Sequence, residues 1–237
     1  MTGPAVLRLH TGLGLAGPAL SAAAARLWRQ DTGLARRYGA YVHVMHQVIR
    51  ASVPLMERAA DRCDRLAPAD PVATPLSRYL RHHITQERGH DDWLLADAAA
   101  AGLDPAAVAA CAPPPAVARL VGAQYYWVEH HHPVALLGYI AALEGHAPPP
   151  GLAERLADTT GLPPGAFDTL RRHADLDGEH RAALDRLLDR LPLDERLRAA
   201  VAVSALHTVA GVTELFDRIA DAPATPASTV QEAPRHA

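Results

Sequence analysis

Cysteine is nearly missing from this chain. Cys63 and Cys111 are the only two in 237 residues, and they stand far apart in no motif. That argues against a disulfide framework and a thiolate metal site, and neither residue has the setting of a nucleophile. A reducing compartment, the cytoplasm, is the expected location. Strand signals are scarce too: there is little period-two alternation and few β-branched runs. No apolar run reaches the ~18 residues that a membrane span requires. The first segment, MTGPAVLRLHTGLGLAGPALSAAAARLW, is broken by Gly and Pro. It reads as a lead-in and a short Ala-rich helix, not a signal peptide. An excess of one charge is also lacking. The 23 basic and 26 acidic residues give a net charge of -3, which leaves no basic footprint for nucleic acid. A small-molecule substrate is therefore the expected partner, with neither nucleic acid nor membrane.

What the chain does have is Ala, Leu and Arg, with apolar residues at helical spacing and clean Pro and Gly punctuation. Helices are expected from Ala19 to Arg29, and from Ala35 to Leu66 with a kink at Pro54. The next is expected from an N-cap at Thr74 to Ala101. Others follow near 105–111, from Pro115, after Pro133, after Gly151 and through Arg171–Arg190. The last starts near Leu193. These predict a single compact all-α bundle of about seven to nine helices over residues 1–221. Residues 222–237, rich in Pro, Thr, Ser and Ala, read as a disordered tail.

The chain is also rich in histidine, with 14. Imidazole titrates near neutrality and is the commonest metal ligand. In "RRHADLDGEHRAALDRLL", His173, Asp177 and His180 follow the spacing i, i+4, i+7, which places them on one stripe of a helix. "RHHITQERGHDDW" repeats it with His83, Glu87 and His90. Composition alone predicts roughly 0.09 such matches per chain, so two are well above chance. Imidazole and carboxylate together suit non-haem iron, manganese or zinc. Helical bundles build dinuclear sites from facing stripes plus bridging carboxylates. Glu144, near the end of the apolar run PVALLGYIAALEG, is the best bridging candidate, because a buried lone carboxylate needs a partner or a metal. Glu57 is a weaker fourth carboxylate. The opposing reading of the Arg171–Arg190 stretch is a solvated helix with i,i+4 ion pairs. Glu129 with His130, His131 and His132 reads as a polar helix end. His207 reads as a packed or supporting residue.

These residues carry a resemblance. The chain resembles the haem-oxygenase-like di-iron oxidases, or iron-containing redox enzymes, from about Tyr41 to Leu191. The likeness rests on "YLRHHITQERGHDDWLLAD", "QYYWVEHHHPVALLGYIAALEG" and His173-x3-Asp177-x2-His180. It implies a haem-oxygenase-like helical bundle, Fe(II), two per chain, with O2 as cosubstrate, and no haem. It implies an oxidase or oxygenase acting on a small molecule, an amino acid or amine foremost, in natural-product biosynthesis. A homodimer and an external electron donor are compatible with it. Carried over, His90, Glu144, His173, Asp177 and His180 are metal ligands. The remaining ligand is Glu87 or His83, since some members place a glutamate where His83 stands. Gln86 replaces a second acid common in the family, which weakens the second metal position. Tyr41, His43, His46, Tyr125, Tyr126 and Tyr139 are candidate pocket residues. The alternatives are a mononuclear iron or manganese oxidase of the same fold, and a non-catalytic metal-binding or cofactor-poor relative of thiaminase-like proteins. A haem enzyme would need an axial His43 or His46 and a Gly-rich distal helix, which this chain lacks.

Overall fold

The described residues form ten α-helices and no strand. The computed structural model describes residues 3–222, apart from Gln30 and the side chain of Asp177. The expected tail, from residue 223 on, lies outside that description. The helices are α1 (Pro4–Arg29), α2 (Leu34–Leu66), α3 (Ala73–Glu87), α4 (His90–Ala100) and α5 (Pro105–Ala110). They continue as α6 (Pro115–His130), α7 (Leu136–Glu144), α8 (Leu152–Thr160), α9 (Asp168–Arg190) and α10 (Glu195–Asp221). Short 3₁₀ turns at Pro133–Ala135 and Pro164–Phe167 lead into α7 and α9.

Three boundaries differ from the sequence expectation. First, α1 absorbs the lead-in and starts at Pro4, with Pro18 inside it. Its Val6, Leu9 and Leu20 are buried, and α1 lies along α10. Tertiary burial outweighs the low helix propensity of Gly12, Gly14 and Gly17. Second, α3 begins at Ala73 without a side-chain cap, so Thr74 is not the N-cap. Asp70 Oδ1 instead accepts from the Val72 N–H at 2.8 Å and closes the turn before the helix. Third, the helix expected through Ala101 divides. Arg88 is extended (φ -63°, ψ 123°) and Gly89 is left-handed (φ 88°), a conformation that costs glycine least. Pro54, by contrast, sits inside an unbroken α2.

The core is set by a few long contacts. Helix α10 packs on α1 and α7, and α2 packs on α3. By length and composition α10 could cross a membrane. In this fold its Val201, Ala205, Val209 and Val212 are core residues facing those neighbours. Helix α7 is almost wholly enclosed, with every residue from Leu136 to Ala142 buried. Its Gly138 meets the α10 backbone directly: a Cβ there would lie 2.1 Å from the Val201 carbonyl oxygen. That close crossing brings Glu144, at the end of the same short helix, into the interior.

Candidate metal centre

Four elements deliver the site. Helix α3 contributes His83 and Glu87, α4 opens with His90, α7 ends at Glu144, and α9 carries His173, Asp177 and His180. The break at Gly89 means that His83, Glu87 and His90 do not share one helical stripe. Glu87 closes α3 and His90 starts α4, yet His90 Nδ1 lies 3.0 Å from Glu87 Oε2.

The tightest grouping joins His83, Glu87, Glu144 and His180, with one donor atom of each within 4.8 Å of the others. His83 Nε2 lies 2.8 Å from Glu144 Oε1 and 4.0 Å from Glu87 Oε1. His180 Nδ1 lies 3.4 Å from Glu144 Oε1 and 3.5 Å from Glu87 Oε1. A second grouping lies across Glu87, where Oε2 faces His90, whose ring centroid is 5.3 Å from that of His173. Glu87 thus turns one oxygen to each group of histidines. Asp177 lies on α9 between His173 and His180, but its side chain falls outside the described residues.

Burial and charge suit the cluster to a cation. His83, His90 and His180 are buried. Burial pushes the Glu87 carboxyl up, but the neighbouring His90, His83 and His173 outweigh it and hold the group below the usual glutamate range. Burial pulls the His173 imidazole below its usual value, toward the neutral form that ligates metal. His173 Nδ1 donates to the Thr169 carbonyl at 2.9 Å, which leaves Nε2 as its donor atom. Glu144 Oε2 is buried and has no hydrogen-bond partner among the described residues. An orphaned buried carboxylate oxygen is costly. A metal ion would satisfy it, and a His/Glu donor set suits iron.

A cavity of about 740 Å³ has His83, Glu87, Glu144 and His173 on its wall. Tyr41 and Tyr139 also line it. The structure places the other expected pocket residues elsewhere. Tyr125 and Tyr126 lie on the exposed side of α6, and His43 is tied to its own helix through the Gly39 carbonyl at 2.8 Å. His46 is buried and does not line the cavity. Glu57 pairs with Arg88 at 3.2 Å on the surface, away from the cluster. Glu129 pairs with Arg58, and His132 Nε2 lies 2.6 Å from Asp70; both belong to helix ends and not to the site.

Comparison with known proteins agrees with this geometry. The family model described as "Iron-containing redox enzyme" matches residues 64–211, more than half of the chain. The chain belongs to the iron-containing redox enzyme family. That span holds every ligand candidate of the family site named above. Among solved structures, it resembles a domain of unknown function with a heme oxygenase-like fold from Shewanella denitrificans OS217. The TM-score is 0.72 at 16% identity, covering 89% of each chain. It also resembles a TenA homolog from Pseudomonas syringae pv. tomato str. DC3000, with a TM-score of 0.56 at 16% identity, covering 89% of this chain and 91% of that one. These likenesses establish the haem-oxygenase-like fold. No curated protein matches the sequence.

Sequence reasoning missed two supporting features. Trp93 stacks on His90, with ring centroids 3.9 Å apart, and Arg172 covers its ring at 4.6 Å. The only sequence signal was the i+3 spacing in HDDW. Asp97 of α4, 1% exposed, is the other. Its Oδ2 accepts from the Thr169 N–H at 3.1 Å and from the Tyr38 hydroxyl at 3.4 Å. It thereby caps the first turn of α9, the turn whose Thr169 carbonyl orients His173. Burial raises the Asp97 carboxyl to about 6, against an ordinary 3.8. A raised acid favours the protonated folded state. Its stabilising contribution is therefore complete below about pH 4 and lost as pH climbs through 6. Asp97→Asn keeps both acceptor contacts without the titration. Relative to the parent, the metal-free variant should gain up to about 3 kcal/mol between pH 4 and 7. Urea midpoints at pH 4, 5, 6 and 7 would show this; a constant difference would remove Asp97 as the titrating group.

Proposed function

We propose that the protein is a non-haem, iron-dependent oxidoreductase that uses O2 on a small molecule. The observation that carries this reading is the buried grouping of His83, Glu87, Glu144 and His180 on the wall of a large cavity. In this reading those four residues hold one iron. His90 and His173 hold a second through Glu87, with Asp177 available on the same helix. Bound iron would supply the redox chemistry that lets O2 oxidise a substrate. The chain's own part is to bind, orient and exclude water. Trp93, stacked on His90, and Tyr79, whose ring centroid lies 5.4 Å from that of His83, fix the two imidazoles. Thr169 sets the His173 tautomer. The apolar cavity wall keeps bulk water from the reacting end.

A second reading has a specific observation in its favour. The four donors within mutual reach form one site, so a single-metal centre is the alternative. Metal analysis after anaerobic loading with Fe(II) separates them. Two irons per chain are expected, falling to one or none in His173→Ala, with rapid O2 consumption when the loaded protein meets air-saturated buffer. One iron in the parent and an unchanged count in His173→Ala would favour the single-metal centre. Iron uptake no greater than that of His180→Ala, or no iron-dependent O2 consumption, would sink the proposal.

A further inference from the structure

Aromatic rings lie against the cluster on two sides, and they differ in how readily each could give up an electron. Tyr79 stacks on His83 with ring centroids 5.4 Å apart. Its hydroxyl is buried and has no hydrogen-bond partner among the described residues. Tyr139, on the cavity wall, has its hydroxyl 3.5 Å from Ser52 Oγ, and burial pushes that hydroxyl up to about 12. A phenol is easily oxidised only when its proton leaves with the electron. Neither tyrosine has a basic acceptor for that proton among the described residues.

Trp93 is placed differently. Its indole stacks on His90 with ring centroids 3.9 Å apart and meets the His173 ring edge-on at 5.9 Å. It therefore touches both imidazoles that the proposed function gives to the second iron. The indole is only partly buried, and the guanidinium of the exposed Arg172 lies over it at 4.6 Å. Of the three tryptophans in the chain, the other two pack elsewhere: Trp28 on Tyr41 and Trp127 on His207. An indole can lose an electron before its N–H proton, and at a partly exposed position water takes that proton.

We propose that Trp93 is a one-electron donor to the metal centre, the route by which an oxidising equivalent leaves the site when no substrate is bound. This rests on the iron-dependent reading above. One electron passes from the indole through the His90 imidazole to iron that O2 has oxidised, and that iron is reduced by one. The indole N–H proton goes to water, which leaves a neutral indolyl radical. A one-electron reductant from solution, of the ascorbate or thiol class, returns the electron, and water returns the proton. Arg172 sets the threshold. A cation over the indole attracts the neutral, electron-rich ring and repels a positive one. It keeps Trp93 reduced until the centre is strongly oxidising.

The test uses the full chain, loaded anaerobically with Fe(II) and mixed with O2-saturated buffer without substrate. Samples are freeze-quenched for electron paramagnetic resonance, and signals are scaled to bound iron. A radical signal that narrows when the tryptophans carry ring deuterium is expected. It should persist in W28F/W127F, whose only tryptophan is Trp93, and fall at least tenfold in W93F. R172Q should raise it at least twofold, and ascorbate should erase it. Repeated O2 exposure should leave oxygen adducts on Trp93 of the unsubstituted protein, read by peptide mass spectrometry, and at least fivefold fewer with ascorbate present. Loaded protein that consumes O2 but shows neither tryptophan radical nor Trp93 adduct would overturn the inference and leave the proposed function standing. A signal that survives W93F, or one that falls in R172Q, would also overturn it. If W93F holds no iron, the W28F/W127F variant decides, since loss of the signal there places the radical on another tryptophan. A parent that takes up no iron would remove the proposed function and this inference with it.

Discussion

Replacing Glu144 with glutamine should strip the protein of tightly held iron. The substitution keeps the side chain's shape and removes its charge. Glu144 Oε1 lies 2.8 Å from His83 and 3.4 Å from His180, and Oε2 has no other partner among the described residues. A neutral amide cannot balance a divalent ion in that buried setting. Iron affinity should fall by more than about 100-fold, since even outer partners of a metal ligand cost 10–100-fold when lost. Metal analysis after desalting is the direct readout. The metal-free stability should move by no more than about 1 kcal/mol, because removing a poorly satisfied buried charge offsets the loss of its histidine contacts. Iron content equal to that of the parent would place the metal, if any, elsewhere.

Gly138→Ala should be the most damaging small substitution. Helix propensity alone predicts a gain of about 0.5–1 kcal/mol, since alanine is the better helix former. Packing predicts the opposite and by more. The new methyl would stand 2.1 Å from the Val201 carbonyl oxygen and 2.6 Å from the Ala205 nitrogen, both on the backbone of α10. Neither atom can rotate away, so α7 and α10 must separate. Overpacking of this kind costs about 1–3 kcal/mol, and more where backbone has to move. A net loss of about 3 kcal/mol is expected, or a Tm drop of roughly 6–12 °C for a chain of this size. Because Glu144 rides on the same short helix, iron affinity should fall as well. A variant as stable as the parent would mean that the α7–α10 crossing is looser than described.

Much of the candidate site was legible in the chain. The repeated His-x3-acid-x2-His pattern pointed to α3, α4 and α9, and Glu144 stood out as a lone carboxylate in an apolar helix. Those signals are local: a ligand must be a particular residue type, and helical periodicity says which side chains share a stripe. The stripe argument failed for His90, because Gly89 in the left-handed region ends α3 before it. The glycine was visible, but its positive φ was not, since an isolated glycine also occurs within helices. His83 was the uncertain ligand by spacing, and tertiary contact sets it closest to Glu144. The pocket candidates that do not line the cavity have a common cause. Tyr125, Tyr126, His43 and His46 were chosen by chemistry, whereas a cavity wall is chosen by packing.

By itself the sequence determined the all-α class, most helix limits, and the histidines and acids able to ligate a metal. Periodicity and residue type are properties of neighbouring positions, so a chain carries them openly. Only the tertiary structure decided that α7 crosses α10 at Gly138 and carries Glu144 to His83 and His180. Only it assembled a cavity whose wall draws on α1, α2, α3, α7, α8, α9 and α10. Those outcomes depend on how helices far apart in sequence fill space together, and close packing between distant segments leaves no periodic trace in either of them.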